Sequence, residues 1–223
     1  MKVVFERRLE LVPTVWEYSF RPERRVDYIP GQYVDVHLHD VPNDPRGLSR
    51  TFTLTSLPSD ELLSFVVKIP EPHTAYKQAL TELRPGDEAK IDDAMGDLVL
   101  PKSPAVPLIF VAGGIGMASF TAMLKELERQ HDKRTVHLFY SLRGPYDDAF
   151  NTQVDSFPFA SKRRFFRPER LGANDIVSIA DDDSLIYLSG SENFVQGLRD
   201  QLHVLGFSHS RIVFDFYDGY ADL

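Results

Sequence analysis

The chain is 223 residues long, 43% hydrophobic and 26% charged, a balance that suits one large or two small globular domains. A formal net charge of −8 argues against a general nucleic-acid or anionic-membrane surface. No residue is Cys, which excludes disulfides, thiolate zinc sites and cysteine-held iron–sulfur clusters carried by these residues. The first residues, MKVVFERRLEL, lack an apolar h-region, and no apolar run approaches the ~20 residues of a membrane span. A cytoplasmic protein without a membrane span is the expectation.

In chain order, residues 2–11 read as a first strand. Trp16, Tyr18 and Phe20 alternate with Glu17 and Ser19 as a half-buried second one. Pro30-Gly31-Gln32 is a turn, after which Val34, Val36 and Leu38 alternate with Asp35, His37 and His39. Residues 40–47 hold Pro42, Asn43, Pro45 and Gly47 and read as a loop. Phe52 and Leu54 alternate with Thr51, Thr53 and Thr55, and residues 62–69 form another strand. Such a series suggests a small antiparallel barrel. One helix interrupts it. Within 74–83, Tyr76, Ala79, Leu80 and Leu83 share a face, Thr74 is the expected N-cap, and Arg84-Pro85-Gly86-Asp87 ends the element.

The run 101–107, PKSPAVP, marks a domain boundary. Beyond it strands at 108–112, 135–141, 163–166, 185–189 and 211–216 alternate with helices at 118–131 and 192–205. Shorter helical candidates lie near 147–154 and 174–179. The expected architecture is therefore an all-β antiparallel barrel domain over 1–103, followed by an α/β domain with a doubly wound parallel sheet over 104–223.

The pivotal stretch is PLIFVAGGIGMASFTAMLKEL at 107–127. An apolar strand runs into Gly113, Gly114 and Gly116, and then into a helix with Phe120, Met123, Leu124 and Leu127 on one face. Strand, glycine turn and helix offer backbone N–H groups and a positive helix end to a phosphate. The glycines are expected because a Cβ would block the approach of a ligand and forbid positive φ. The alternative is a tight turn without a ligand.

Further short motifs accumulate in order. Pro30-Gly31-Gln32-Tyr33 precedes Arg50-Thr51-Phe52-Thr53, which resembles the R-x-[YF]-[ST] flavin signature of the ferredoxin–NADP⁺ reductase-like superfamily. Ala94-Met95-Gly96-Asp97-Leu98 is similar to the stretch that closes that family's barrel. Gly113-Gly114-Ile115-Gly116 resembles its dinucleotide turn, and Tyr140-Ser141-Leu142-Arg143 its 2′-phosphate site. Ser189-Gly190-Ser191 stands where the family has C-G-P. Ala118 and Ser119 replace a Thr and a Pro, and Phe52 replaces a Tyr.

The resemblance implies FAD held by Arg50, Thr51, Phe52, Thr53, Val67, Lys68, His73, Thr74 and Ala75. It implies NADPH or NADH held by Gly113, Gly114, Ile115, Gly116, Met117, Ala118, Ser141, Arg143, Gly190 and Ser191. Thr53, Ser189 and Tyr220 would stand at the reacting end, with Tyr220 stacked on the flavin as a gate. Arg50 has the fork to bind a pyrophosphate, and Thr74 adds a hydroxyl and helix N–H groups. Thr53 has a hydroxyl for flavin N5, or is an outward strand threonine. Alternation sets Phe52 opposite Thr51 and Thr53, so one of these groups faces the flavin and the other the core. Ser141 and Arg143 are not acidic, which favours NADPH.

The implied activity is hydride transfer from NAD(P)H to FAD and electron delivery to a ferredoxin, a flavodoxin or a small acceptor. The alternatives are an NAD(P)H:flavin reductase that uses flavin as a substrate, and a flavin-binding subunit with poor NAD(P)H turnover. Arg21, Arg24 and Arg25, and the group Lys162, Arg163, Arg164, Arg167 and Arg170, are candidates to dock an acidic redox partner, or are solvated faces. For His37 and His39, which share a strand face with Asp35, a solvated face is expected rather than a metal site. No P-loop, nucleophile elbow or H-E-x-x-H motif occurs.

Overall fold

The computed structural model describes residues 1–39, 41 and 44–217. Tyr220 lies outside the described residues, so the expected flavin-stacking gate has no structural account. Contacts divide the chain into two compact units, the first covering Met1–Val99 and the second beginning at Leu100.

The first unit holds β1 (Lys2–Val12), β2 (Val15–Pro22), β3 (Tyr33–His37), β4 (Ser49–Thr53), β5 (Leu63–Lys68), α1 (Ala75–Glu82) and β6 (Glu88–Ile91). The sheet order is β4-β3-β6-β1-β2-β5 with antiparallel neighbours. An antiparallel Leu54–Phe65 bridge and the bond from Thr55 N–H to Ser64 O at 2.7 Å join the two edges. A sheet so closed leaves no long open edge. Alternation builds the core: Val34 and Val36 of β3, and Phe65 and Val67 of β5, all point inward. Phe65 is the hub of an aromatic stack, with Phe52 at 4.2 Å, Phe20 at 5.7 Å and Tyr18 at 5.9 Å between centroids. Sequence does not anticipate β6, because one of its two inward side chains is only Ala89.

The second unit alternates β7 (Leu108–Gly113), α2 (Ala118–Arg129), β8 (Val136–Leu142), α3 (Asn151–Ser156), β9 (Ala160–Phe166), α4 (Ala173–Val177), β10 (Leu185–Ser191), α5 (Glu192–Val204) and β11 (Ile212–Tyr217). All strands are parallel, in the order β11-β10-β7-β8-β9. The central strand β7 serves both faces. Ile109 and Val111 join Val195, Leu198 and Leu202 of α5, while Phe110 meets Phe120 of α2 at 4.9 Å. Strand order reverses between β10 and β8 around β7, and ligands of open α/β sheets bind beyond the carboxyl ends at such a point. Among the described residues no helix is long and apolar enough to cross a membrane.

Phe65→Ala should remove the hub of the barrel stack and cost ~3–5 kcal/mol in urea unfolding. A loss under ~1 kcal/mol would contradict the central packing role.

Candidate functional site

Each unit carries its own group of converging residues. In the first, β4 and α1 build an anion site. Arg50, the second residue of β4, lays its guanidinium over the Tyr76 ring, 4.9 Å from the centroid. Its Nη2 is 2.6 Å from Asp44 Oδ2. Its Nη1 donates to the carbonyls of Ser49 at 2.6 Å and of Arg46 and Gly47 at 3.2 Å each. Asp44 Oδ2 also accepts the Tyr76 N–H in the first turn of α1 at 3.1 Å, and Oδ1 accepts the Arg46 N–H at 3.0 Å. Thr74 is the N-cap, as expected from the sequence, with its hydroxyl accepting the Lys77 N–H at 3.3 Å.

Burial raises the Asp44 carboxyl, but the Arg46 and Tyr76 amides and the Arg50 guanidinium outweigh it and hold the group below its ordinary value. Lys77 donates to the carbonyl of Lys68. Desolvation, followed by repulsion from Arg46, Arg50 and Lys68, pulls the Lys77 ammonium down to about 8. Several cations thus gather around one carboxylate at a helix N-terminus, a donor set that fits a diphosphate. Asp44 and Lys77 were not legible as site residues. Asp44 sits in a Pro/Asn/Gly stretch and reads as a turn former. Lys77 was detectable only as a lysine in the first turn of a helix, where a cation is disfavoured.

The structure settles the alternation along β4. Phe52 faces the core, stacked on Phe65, and Val67 also turns inward. For a ligand, Val67 therefore has only its main chain to offer. Thr51 and Thr53 share the other face. Thr51 is exposed and donates to Asp35 Oδ1 at 2.5 Å. Thr53 is buried, and its hydroxyl makes no hydrogen bond among the described residues. His73 contacts Gln78 Oε1 at 2.7 Å and Glu71 Oε2 at 3.1 Å. His37 pairs with Asp92 at 2.8 Å. No group of three or more His, Cys, Asp or Glu among the described residues is placed to hold a metal.

In the second unit the glycine turn after β7 and the segment Ser189–Ser191 at the end of β10 lie side by side, with Ser189 opposite Ala112 in register. Residues 114–117 form a single 3₁₀ turn that runs directly into α2. Packing is itself a reason for two of these glycines. A Cβ at Gly116 would fall on the Ser189 carbonyl and 2.6 Å from Gly190 N, while one at Gly113 would lie 2.8 Å from the Phe194 ring. Gly114 is the position that needs its conformation, with φ at +53° and open space where a Cβ would point.

The two serines that replace Pro and Cys are bonded to each other. Ser189 Oγ donates to Ser119 Oγ at 3.1 Å, and Ser119 Oγ lies 2.7 Å from the Tyr217 hydroxyl. Both serines are fully buried, so each supplies the partner the other requires. Asp215 stands beside Ser189 in register, and burial pushes its carboxyl above the ordinary range against a bond from the Phe216 N–H. Sequence reasoning missed Tyr217 and Asp215; a lone acid between Phe214 and Phe216 was the available signal. Ser141 pairs in register with Gly113, which places the end of β8 beside the turn. Arg143 follows β8, is exposed, and makes no ion pair among the described residues. Tyr146, 69% exposed, lies against Gly144.

Among the described residues, three of the eight basic residues in the two candidate docking groups are paired with carboxylates. Arg21 pairs with Glu6 and Glu61, Arg163 with Glu169 and Asp175, and Arg164 with Asp148 and Asp155. Arg163 and Arg164 are thereby committed to carboxylates of their own unit.

No protein-family model matches the chain. In sequence it is 23% identical over 210 residues to the toluate 1,2-dioxygenase electron transfer component of Pseudomonas putida, covering 84% of this chain and 58% of that one. It is 30% identical over 124 residues to the terephthalate 1,2-dioxygenase reductase component 2 of Comamonas sp., covering 55% and 34%. The chain thus spans only about a third to just over half the length of these curated relatives. In structure it superposes with a TM-score of 0.82 and 19% identity on the FAD/NAD binding domain of a Vibrio cholerae nitric oxide dioxygenase, covering 98% of both chains. A Neisseria gonorrhoeae ferredoxin NADP⁺ reductase with bound FAD and NADP also superposes at 0.82, with 14% identity over 97% of this chain and 98% of that one. An antiparallel barrel unit followed by a doubly wound α/β unit is thus the fold this chain shares with solved reductase structures, and in sequence it is similar to reductase and electron-transfer components of oxygenase systems.

Proposed function

We propose that this chain is an FAD-dependent NAD(P)H reductase that takes a hydride from the nicotinamide and passes electrons to an iron–sulfur or flavodoxin-type protein, or to a small acceptor. The observation that carries this reading is the anion site of Arg50 and the α1 N-terminus, with the Thr53 hydroxyl three residues further along the same strand. Bound FAD supplies the hydride-accepting N5 and the capacity to release electrons singly.

The chain's own residues bind and orient. Arg50, the α1 N-terminus and Thr74 would hold the diphosphate, with Lys77, Lys68 and His73 around them. Thr53 would donate its hydroxyl hydrogen to N5. Thr51, Phe52, Val67 and Ala75 would shape the flavin side through main chain and packing. In the second unit the turn Gly113–Ala118 and the segment Ser189–Ser191 would receive the dinucleotide at the switch point. Arg143, which makes no ion pair among the described residues, would bind a 2′-phosphate, so we assign NADPH as the preferred coenzyme. The exposed Tyr146 ring is a flat surface for the adenine. We assign the flavin to 1–103 and the dinucleotide to 104–223, with Tyr220 as a nicotinamide gate. The oxygenase reductase and electron-transfer components among its relatives support a protein acceptor.

Two measurements test this reading. Arg50→Ala should remove a charge-assisted contact worth ~1.5–3 kcal/mol and weaken FAD more than about tenfold in fluorescence titration. Equal affinity would remove Arg50 from the site. Arg143→Ala should lower kcat/KM for NADPH and leave that for NADH nearly unchanged. A wild type that already prefers NADH contradicts the assignment of Arg143.

A further inference from the structure

Asp44 does something that the flavin reading, on which this inference rests, does not require. Its carboxylate engages Arg50 Nη2 at 2.6 Å and the Tyr76 N–H at 3.1 Å, and these are the groups assigned to the diphosphate. The side chain is only 2% exposed, so this is a buried ion pair and not a surface contact. Asp44 lies in the connection between β3 and β4, while its partners lie on β4 and α1. It can therefore leave without disturbing either element. The same connection supplies the Arg46 and Gly47 carbonyls that occupy Arg50 Nη1.

We propose that Asp44 is a built-in competitor for the diphosphate subsite, and that FAD binds by displacing its carboxylate from Arg50 and the first turn of α1.

Charge favours the exchange. Arg46, Arg50, Lys68 and Lys77 lie close enough for the other three to repel the Lys77 ammonium, and Asp44 is the carboxylate set among them. A diphosphate brings two negative charges to the donors that Asp44 meets with one. The exchange still has a cost, because the Asp44 contacts must break before the diphosphate is seated. Apparent FAD affinity is then the intrinsic affinity scaled by the fraction of chains in which the subsite is open. A protein so built holds FAD less tightly than its donor set alone allows.

The test is FAD titration of the full chain, as wild type, Asp44→Asn and Asp44→Ala, followed by flavin fluorescence, with riboflavin as the probe that lacks phosphate. Asp44→Asn retains an oxygen for the Tyr76 N–H and removes the charge. Circular dichroism confirms that each variant is folded. Both variants should tighten FAD by about tenfold or more and leave riboflavin unchanged. If the wild type binds FAD and both folded variants bind it equally or more weakly, Asp44 is a positioning residue for Arg50 and the competitor role is overturned, while the flavin reading stands. Tightening of riboflavin as well as FAD overturns the diphosphate subsite as the point of competition. If neither wild type nor variants bind FAD, the flavin reading itself fails, and the inference with it.

Discussion

The polar geometry of the first unit depends on one guanidinium. Arg50 contacts a carboxylate, two carbonyls of the preceding loop, the carbonyl of Ser49 on its own strand and the face of the Tyr76 ring. Those contacts fasten the connection between β3 and β4 to the start of α1. The Arg50 side chain is largely covered, and a covered guanidinium is costly without partners. Any ligand anion at this place must therefore replace bonds that already exist. That makes exchange, and not simple occupancy, the physical question for cofactor affinity.

In the second unit the governing constraint is how closely two backbones approach. Gly116 rests on the Ser189–Gly190 peptide, and Phe194 covers both Gly113 and Gly190. The carboxyl ends of β7 and β10 are thereby drawn together at the switch point, leaving Gly114 open on one side. Within that contact the replacements at 119 and 189 form a connected pair. A Pro at 119 would leave the Ser189 hydroxyl buried without its partner, and a Cys at 189 would offer only a weak donor to Ser119. The hydroxyl chain continues to Tyr217, so both buried serines are satisfied.

The periodicities carried most of the fold. Alternating residues in β2, β3 and β4, the amphipathic α2, and the shift from strand-rich to alternating rhythm after the proline run all correspond to observed elements. What escaped was what depends on distant partners. Alternation showed that Phe52 and Thr53 face opposite ways, but only the stack on Phe65 shows which side is the core. Asp44 belongs to a loop-forming stretch, and its link to Tyr76 spans 32 residues. The bond between Ser119 and Ser189 spans 70. The arginines of β9 were legible as basic and not as neutralised, although Asp148, Asp155, Glu169 and Asp175 all lie near them in sequence.

We propose above all that this chain moves a hydride from a nicotinamide to FAD. Anaerobic addition of NADPH, and separately NADH, to the full chain saturated with FAD tests it directly. The account predicts that the oxidised-flavin absorbance band bleaches within about one equivalent, faster with NADPH. A band that persists with both coenzymes, while FAD remains bound, would contradict it.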